Sequence, residues 1–510
     1  MRKHVLVALL AGCMLVVGAT GAGASGSSEE VTYLLTFDDG VDADAVLDEV
    51  QRRVPVQVEE TFGTVIRGAV VTTSAVPEAI DMVPGVATVD EDEEIVLPDD
   101  DVVPDDDSEE TTTSTTSTST TSTTTTTTSP VDPTPEPTPG PQVPWGLDRT
   151  DQRTLPLSGS YKGPNDGSGV TVYVLDSGIS PHVEFGDRLA PGADLIGDGY
   201  GTNDCIGHGT HVAGTIGGRT VGVAPGVTLV PVRVFGCGRT SSAATTFEGM
   251  AWIAAHHQPG QPAVVNYSAG GEPDEATEWA VRKLNELGIT VVVAGGNEAA
   301  LACGQTMGAD VAGVIVVGWS TPDDRRSPDS NYGRCIDLFA PGEEIRSASA
   351  QTGGYSLKSG TSMASPHVAG VAAMVLAQDP WRTAPQVEAA IVSESTQGAL
   401  TDAGEGSPNR LLFIDPARTP GTPVADASPP PPPAVVSGAT GEQTLSETAV
   451  LALTGGDPRA LLIAGSILLV VGLALVAAER RRNRSLVPAV AAPSAPPLTG
   501  FQYQHRWNRP

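Results

Sequence analysis

Three short motifs carry side chains that could do chemistry together. The apolar run VTVYVLD ends on Asp176, followed by Ser177-Gly178. That puts a carboxylate at the C-terminal end of a strand, where parallel sheets place their sites. Gly207-His208-Gly209-Thr210-His211-Val212-Ala213-Gly214 surrounds an imidazole with small residues, so that backbone and substrate can approach it closely. Its two histidines are three residues apart and lack the nearby Glu of a zinc-protease helix. Gly360-Thr361-Ser362-Met363-Ala364-Ser365-Pro366 sets Ser362 at the start of a small-residue helix. Pro366 is expected in its first turn, where a missing N–H costs least. A free helix N-terminus there would aim amide donors at charge developing beside Ser362. Singly, these motifs read as a turn, a structural histidine pair and an N-cap serine. Together they supply a carboxylate, an imidazole and a hydroxyl in the order Asp, His, Ser, 32 and 154 residues apart. A serine hydroxyl is a poor nucleophile at neutral pH, and this set is what activates it.

The elements that must position these groups lie within residues 142–416. VTVYVLD, TLVPVRVF, AVVNYS, ITVVVAGG and GVIVVG read as strands. THVAGTIGG, EATEWAVRKLNELG and ASPHVAGVAAMVLAQ read as helices. Fully apolar strands alternating with helices predict a mainly parallel sheet covered on both faces, an α/β fold. Residues 31–97 form a smaller unit: VTYLLTF, VIRGAVVTT and VATVDEDEEIVL are strand-like, and ADAVLDEVQRRV and VPEAIDMV are helical.

Composition separates these bodies from linkers. The chain has 510 residues with 58 Gly and 42 Pro, too many for one compact body. Residues 98–141 hold an acidic run, a Thr/Ser block and PVDPTPEPTPGP, which read as an extended tether, with 417–458 as a second. Lys and Arg number 29 against 61 Asp and Glu, a net charge of -32 that excludes nucleic acid as the main partner. Much of that charge lies in residues 29–110, where 25 acids face only Arg52, Arg53 and Arg67.

Both ends carry targeting signals. Arg2 and Lys3, the apolar run Val5 to Val17 and Ala22-Gly23-Ala24 read as an export signal over residues 1–24. Residues 460–478 are uncharged and long enough to span a bilayer as a transmembrane helix. The arginines that follow place the tail, 479–510, in the cytoplasm and everything before the span outside the membrane. Leu451-Ala452-Leu453-Thr454-Gly455 resembles the LAxTG signal of class E sortases, which join a protein to the cell wall.

VLDSGI, GHGTHVAGT and GTSMASPHVAG in one chain resemble the subtilisin-like serine proteases of the peptidase S8 family, closest to the proteinase K branch. The resemblance covers residues 142–416 and implies a three-layer α/β/α domain that hydrolyses polypeptides. It makes Ser362 the nucleophile, His208 the base and Asp176 its orienting acid, with His211 and His367 as packing residues. VVVAGGNEAA resembles the family's AAGN segment and puts Asn297 beside the Ser362 N–H in an oxyanion hole. Ser268, Ala269 and Gly270 resemble its SLGG segment, one wall of the substrate cleft. The opposite edge, usually Gly-Ser-Gly, here reads Gly238-Arg239-Thr240, so that Arg239 would shape the subsites or favour acidic residues there. Four cysteines outside the export signal allow three pairings. The resemblance implies Cys205 with Cys237 and Cys303 with Cys335. It also implies structural calcium, with Asp337 as a ligand, and no organic cofactor. It reads residues 31–97 as a ferredoxin-like inhibitor propeptide, cut near Leu97, near Gln142 or at both. Two other classes fit the same features: a mycosin-like processing protease of a secretion system, and an anchored pseudoprotease that holds peptide uncut.

Overall fold

A computed structural model describes residues 30–97, 103–104, 143–271 and 273–418. The export signal, most of the first linker, the second linker, the sorting-like motif, the apolar span 460–478 and the tail lie outside the described residues. Among the described residues no helix is long and apolar enough to cross a membrane.

The N-terminal unit runs β1 (Val31–Phe37), α1 (Ala43–Arg53), β2 (Val56–Phe62), β3 (Gly68–Thr73), α2 (Pro77–Asp81) and β4 (Val86–Glu91). Its four strands form an antiparallel sheet in the order β2-β3-β1-β4, a ferredoxin-like arrangement. Asp42 caps α1, and Val46, Leu47 and Val50 face the sheet at helical spacing. Strand β2 was not legible in the sequence. It is an edge strand, Glu59 and Glu60 interrupt its alternation, and none of its residues is fully buried. The run VATVDEDEEIVL holds two strands rather than one: β4 stays in the sheet, while β5 (Glu94–Val96) leaves it to pair elsewhere.

After β5 and the two-residue β6 (Val103–Pro104) come α3 (Trp145–Thr150), β7 (Thr171–Asp176), β8 (Ala193–Asp194), α4 (His208–Gly217), β9 (Thr228–Arg233) and β10 (Thr240–Ser242). Next are α5 (Ala243–His256), β11 (Ala263–Tyr267), α6 (Glu275–Glu286), β12 (Ile289–Ala294), β13 (Val314–Ser320) and β14 (Leu338–Pro341). The hairpin β15 (Ile345–Ala348) and β16 (Tyr355–Lys358) leads to α7 (Thr361–Gln378), α8 (Ala384–Glu394), β17 (Thr396–Gln397) and β18 (Arg410–Leu411).

One sheet organises this body, in the order β17-β18-β14-β13-β12-β11-β7-β9-β8. All its pairs are parallel except β17 with β18. Alternation along β7 divides the core. Val172 and Val174 join Val212, Ile216 and the apolar residues of α7 on one face. Tyr173 and Leu175 join Phe247 and Met250 of α5 and Val281 and Leu284 of α6 on the other. The result is the expected three-layer α/β/α body. Parallel strands all point one way, so the chain leaving β7 enters the same end of the sheet that receives the N-terminus of α4.

Candidate active site

Asp176 ends β7 and His208 opens α4, both fully buried. The His208 ring donates from Nδ1 to Asp176, with Oδ1 at 2.8 Å and Oδ2 at 3.0 Å. This leaves Nε2 as the atom that handles a proton, since a neutral ring protonated at Nδ1 keeps a lone pair there. Two glycines permit the approach. Gly207 caps α4 at φ +84°, where a Cβ would sit 2.1 Å from the Gln351 amide. A Cβ on Gly209 would meet Gly178 O at 2.2 Å.

A second carboxylate, one the sequence did not single out, braces this pair. Asp204 is buried and accepts from the Ser177 hydroxyl at 2.9 Å and from the amides of Ile206, Gly207 and Thr210. It thus ties the residue after Asp176 to the first turn of the helix bearing His208. Burial pushes its carboxyl above the ordinary range, against the pull of those amides. The signal for it was the Asp-Cys pair just before the GHGTH motif. Cys205 bonds Cys237, with Cα atoms 5.5 Å apart, and Cys303 bonds Cys335 at 5.2 Å.

Ser362 is the second residue of α7 and is 1% exposed. Pro366 lies inside this helix, beyond its first turn. In that position it has no N–H to give the Ser362 carbonyl. The Ser268 hydroxyl donates to that carbonyl instead, at 3.0 Å. Ser268 Oγ in turn accepts from Ser365 Oγ and Asn266 Nδ2, which satisfies it completely. The Ser362 hydroxyl donates to Ser268 O at 3.0 Å. Ser362 and Ser268 are therefore one hydrogen-bonded unit.

Asn297 follows β12, and its Oδ1 accepts from both the Thr361 amide and the Thr361 hydroxyl at 2.9 Å. Fixing the oxygen fixes the opposite end, so the NH2 of Asn297 is held as a donor beside the start of α7. A Cβ on Gly360 would lie 3.2 Å from that nitrogen.

The other two histidines of the motifs, His211 and His367, have structural partners. His211 Nε2 donates to Ile345 O and Ser356 O, joining β15 and β16 to α4. His367 donates to Met363 O, and burial drops its pKa to about 4, so it is neutral at physiological pH.

Two strands from the N-terminal part of the chain pair with strands of the larger body. Of these, β5 pairs antiparallel with β10, placing Val96 opposite Thr240 and Glu94 opposite Ser242. The Leu97 amide continues the ladder to Arg239 O at 2.8 Å. Ile95 reaches across to Gly271, beside Ala269 and Gly270. In β6, Val103 and Pro104 register with Leu357 and Ser356 of β16, the strand that leads toward Ser362. The segment read as a pure tether thus contains a paired strand. Gly238, expected on the substrate edge, sits exposed at a turn, and Arg239 to Ser242 carry the pairing instead.

Asp337 is half-buried, and its Oδ2 accepts from the Val316 amide. Burial raises its carboxyl to about 6 and that of Glu388, which also feels the Asp337 charge, to about 7. Both are oxygen donors of the kind calcium takes, but calcium needs about six to eight, and Glu388 already accepts from the Gly313 amide. Among the described residues no group of three His, Cys, Asp or Glu side chains gathers to hold a metal ion. These side chains alone do not make a calcium site, and no step below passes through a metal.

Comparisons with known proteins agree with this geometry. The subtilase family model matches residues 167–412. The chain is 47% identical over 270 residues to alkaline serine exoprotease A of Vibrio alginolyticus, covering 53% of this chain and 50% of that protein. It is 48% identical over 272 residues to an extracellular serine proteinase of Thermus sp., covering 53% of this chain and 65% of the relative. The chain thus spans half to two thirds of the length of these relatives. The solved structure of a cold adapted subtilisin-like serine proteinase is 43% identical, with a TM-score of 0.51, over 53% of this chain and 97% of that one.

Proposed function

Because the chain belongs to the subtilase family, we propose that it is a serine endopeptidase, exported and held at the cell surface, that is made as a zymogen and processes itself. The observation that carries this reading is the buried His208 ring locked onto Asp176 at 2.8 Å, with Ser362 and Asn297 both at the start of α7.

Each step follows from groups already placed. The Ser362 hydroxyl turns from Ser268 O to His208 and gives up its proton to Nε2 as it attacks the peptide carbonyl. Asp176 holds the tautomer that leaves Nε2 basic and stabilises the imidazolium that forms. The tetrahedral oxyanion takes the Ser362 amide and the Asn297 NH2 as donors, fixed in advance by α7 and by Thr361. The imidazolium then returns the proton to the leaving amine, and water repeats the cycle on the acyl-enzyme.

Residues 31–97 act as the propeptide. β5 lies on the β10 edge as a substrate strand would, by strand addition. Leu97 is held on the β10 edge and Val103 on β16, the strand that leads toward Ser362, which favours self-processing between them over a cut near Gln142. Export follows from the signal segment and from relatives such as the extracellular proteinase. The surface anchor is the apolar span 460–478, with the sorting-like motif at 451–455 as the point where a sortase would act.

The test compares the purified ectodomain with its Ser362→Ala variant. The parent cleaves library peptides, reacts with a serine-directed phosphonate and loses residues 31–97. The variant does none of these. Equal cleavage by both would remove the proposed nucleophile.

A further inference from the structure

Arg239, in the turn before β10, bonds Leu97, the residue that follows β5, through both its backbone and its side chain. Arg239 adopts a backbone conformation that glycine favours, at φ +67°. A non-glycine residue in the left-handed region is strained, and such strain persists where the surroundings enforce it. Here the enforcing structure is a tight turn: Arg239 N donates to Gly236 O at 2.9 Å, and Gly236 N donates to Thr240 O at 3.1 Å. This turn brings the side chain back over the strand on which β5 lies. Arg239 then takes both main-chain groups of one residue. Its carbonyl accepts from the Leu97 amide at 2.8 Å, and its Nε donates to the Leu97 carbonyl at 3.2 Å. The first bond belongs to any antiparallel ladder. The second is charge-assisted, needs an arginine, and is indifferent to the side chain of the residue held. The Leu97 side chain turns away into the apolar core, 1% exposed.

Building on the endopeptidase reading, we infer that Arg239 is a main-chain clamp of the substrate cleft: it holds the carbonyl of whatever residue docks where Leu97 lies. Through that carbonyl it sets the register of the peptide against Ser362. Arg239 is a binding residue for the extended backbone and does not select acidic side chains. A proline at the Leu97 position would lose the amide that Arg239 O accepts, so peptides with proline there are poor substrates.

The test uses the processed ectodomain with Arg239→Gly and Arg239→Gln variants, and a peptide library randomised at the two positions that Ile95 and Leu97 mimic. Glycine adopts the left-handed conformation freely, so Arg239→Gly folds and melts no lower than the parent. Expected for Arg239→Gly is a rise in KM of about tenfold, with kcat within about twofold, equal across all side chains tested. Arg239→Gln, which keeps an N–H donor, recovers part of the loss. Binding of the same peptides to the Ser362→Ala ectodomain, with and without Arg239→Gly, reads the clamp without turnover and falls by the same factor. An unchanged KM and unchanged binding would overturn the clamp. A loss confined to acidic peptides would overturn it too, in favour of side-chain selection. A parent that binds these peptides but cleaves none defeats the endopeptidase reading while leaving the clamp measurable.

Discussion

The two largest sheets among the described residues are held together in opposite ways. The nine-stranded sheet is buried on both faces, with a large apolar cluster on each. The four-stranded sheet has one small core of its own, built around Leu35, Val50, Val71 and Ile80. Its other face is completed by the larger body: Leu34 and Ile66 belong to the same cluster as Phe247 of α5, and Phe62 lies 5.4 Å from the Phe247 ring. Polar contacts at this junction are directed at helix ends. Asp90 accepts from the amides of Glu275 and Ala276 at the start of α6, and Asp92 accepts from Ala244 at the start of α5. A unit this small, acidic and dependent on a neighbour for its second face suits the release proposed for it. The larger sheet is built to hold a few side chains still.

That contrast predicts where substitutions do most damage. Asn297 works within the rigid body, on the transition state alone. Asn297→Ala should lower kcat by roughly 100- to 1,000-fold and leave KM nearly unchanged. Steady-state kinetics on the processed ectodomain check this, and a loss below about tenfold would show that the oxyanion is held by other donors.

The junction should answer to smaller changes. Each helix-end cap contributes about 0.5–2 kcal/mol. Asp90→Ala with Asp92→Ala should therefore weaken docking of the N-terminal unit roughly ten- to a hundredfold. The readout is the lag before activity appears in purified zymogen, which should shorten. Asp90→Asn, which keeps an acceptor oxygen, should shorten it less. A lag that the double variant does not change would assign the hold to the apolar contact of Phe62 and Ile66 instead.

The same contrast explains what could be read from residue types in advance. The body that holds the site was legible because its strands are uniformly apolar and its motifs are local: GHGTH and GTSMASP each place a functional side chain within a few residues of the glycines that free its approach. The proline was misjudged by a turn because its reason is tertiary, in the Ser268 hydroxyl that replaces its missing N–H. Helix α5 escaped notice because its less buried stripe, Thr245, Glu248, Trp252 and Ala255, holds few strongly polar residues, which leaves little 3.6-residue contrast. β5 and β6 were hidden for another reason. Their partners β10 and β16 lie far along the chain, and a pairing of that range leaves no periodic trace. The positive φ of Arg239 left no trace in its residue type, because it is the turn that forces an arginine to adopt it.

The weakest expected effect is a pH dependence of the junction. Burial, and after it the charge of Glu60 on β2, together lift the Glu248 carboxyl of α5 to about 7. The contribution of Glu60 exists only while the unit is docked. A carboxyl raised on docking holds a proton that the released form gives up, so docking favours low pH. Below about pH 4.5 both forms are protonated and nothing is lost; as pH rises toward about 7, docking weakens, and above that the full repulsion remains. Asp90, raised by burial, acts with the same sign. The activation lag should therefore shorten between pH 5 and pH 8 by a factor of a few, once the pH dependence of turnover is divided out. Glu248→Gln should flatten that slope at its upper end, whereas Asp90→Asn should flatten it at the lower end. A parent whose lag is independent of pH would mean that Glu248 and Glu60 relax apart in solution, leaving the helix-end carboxylates and the aromatic contact to govern release.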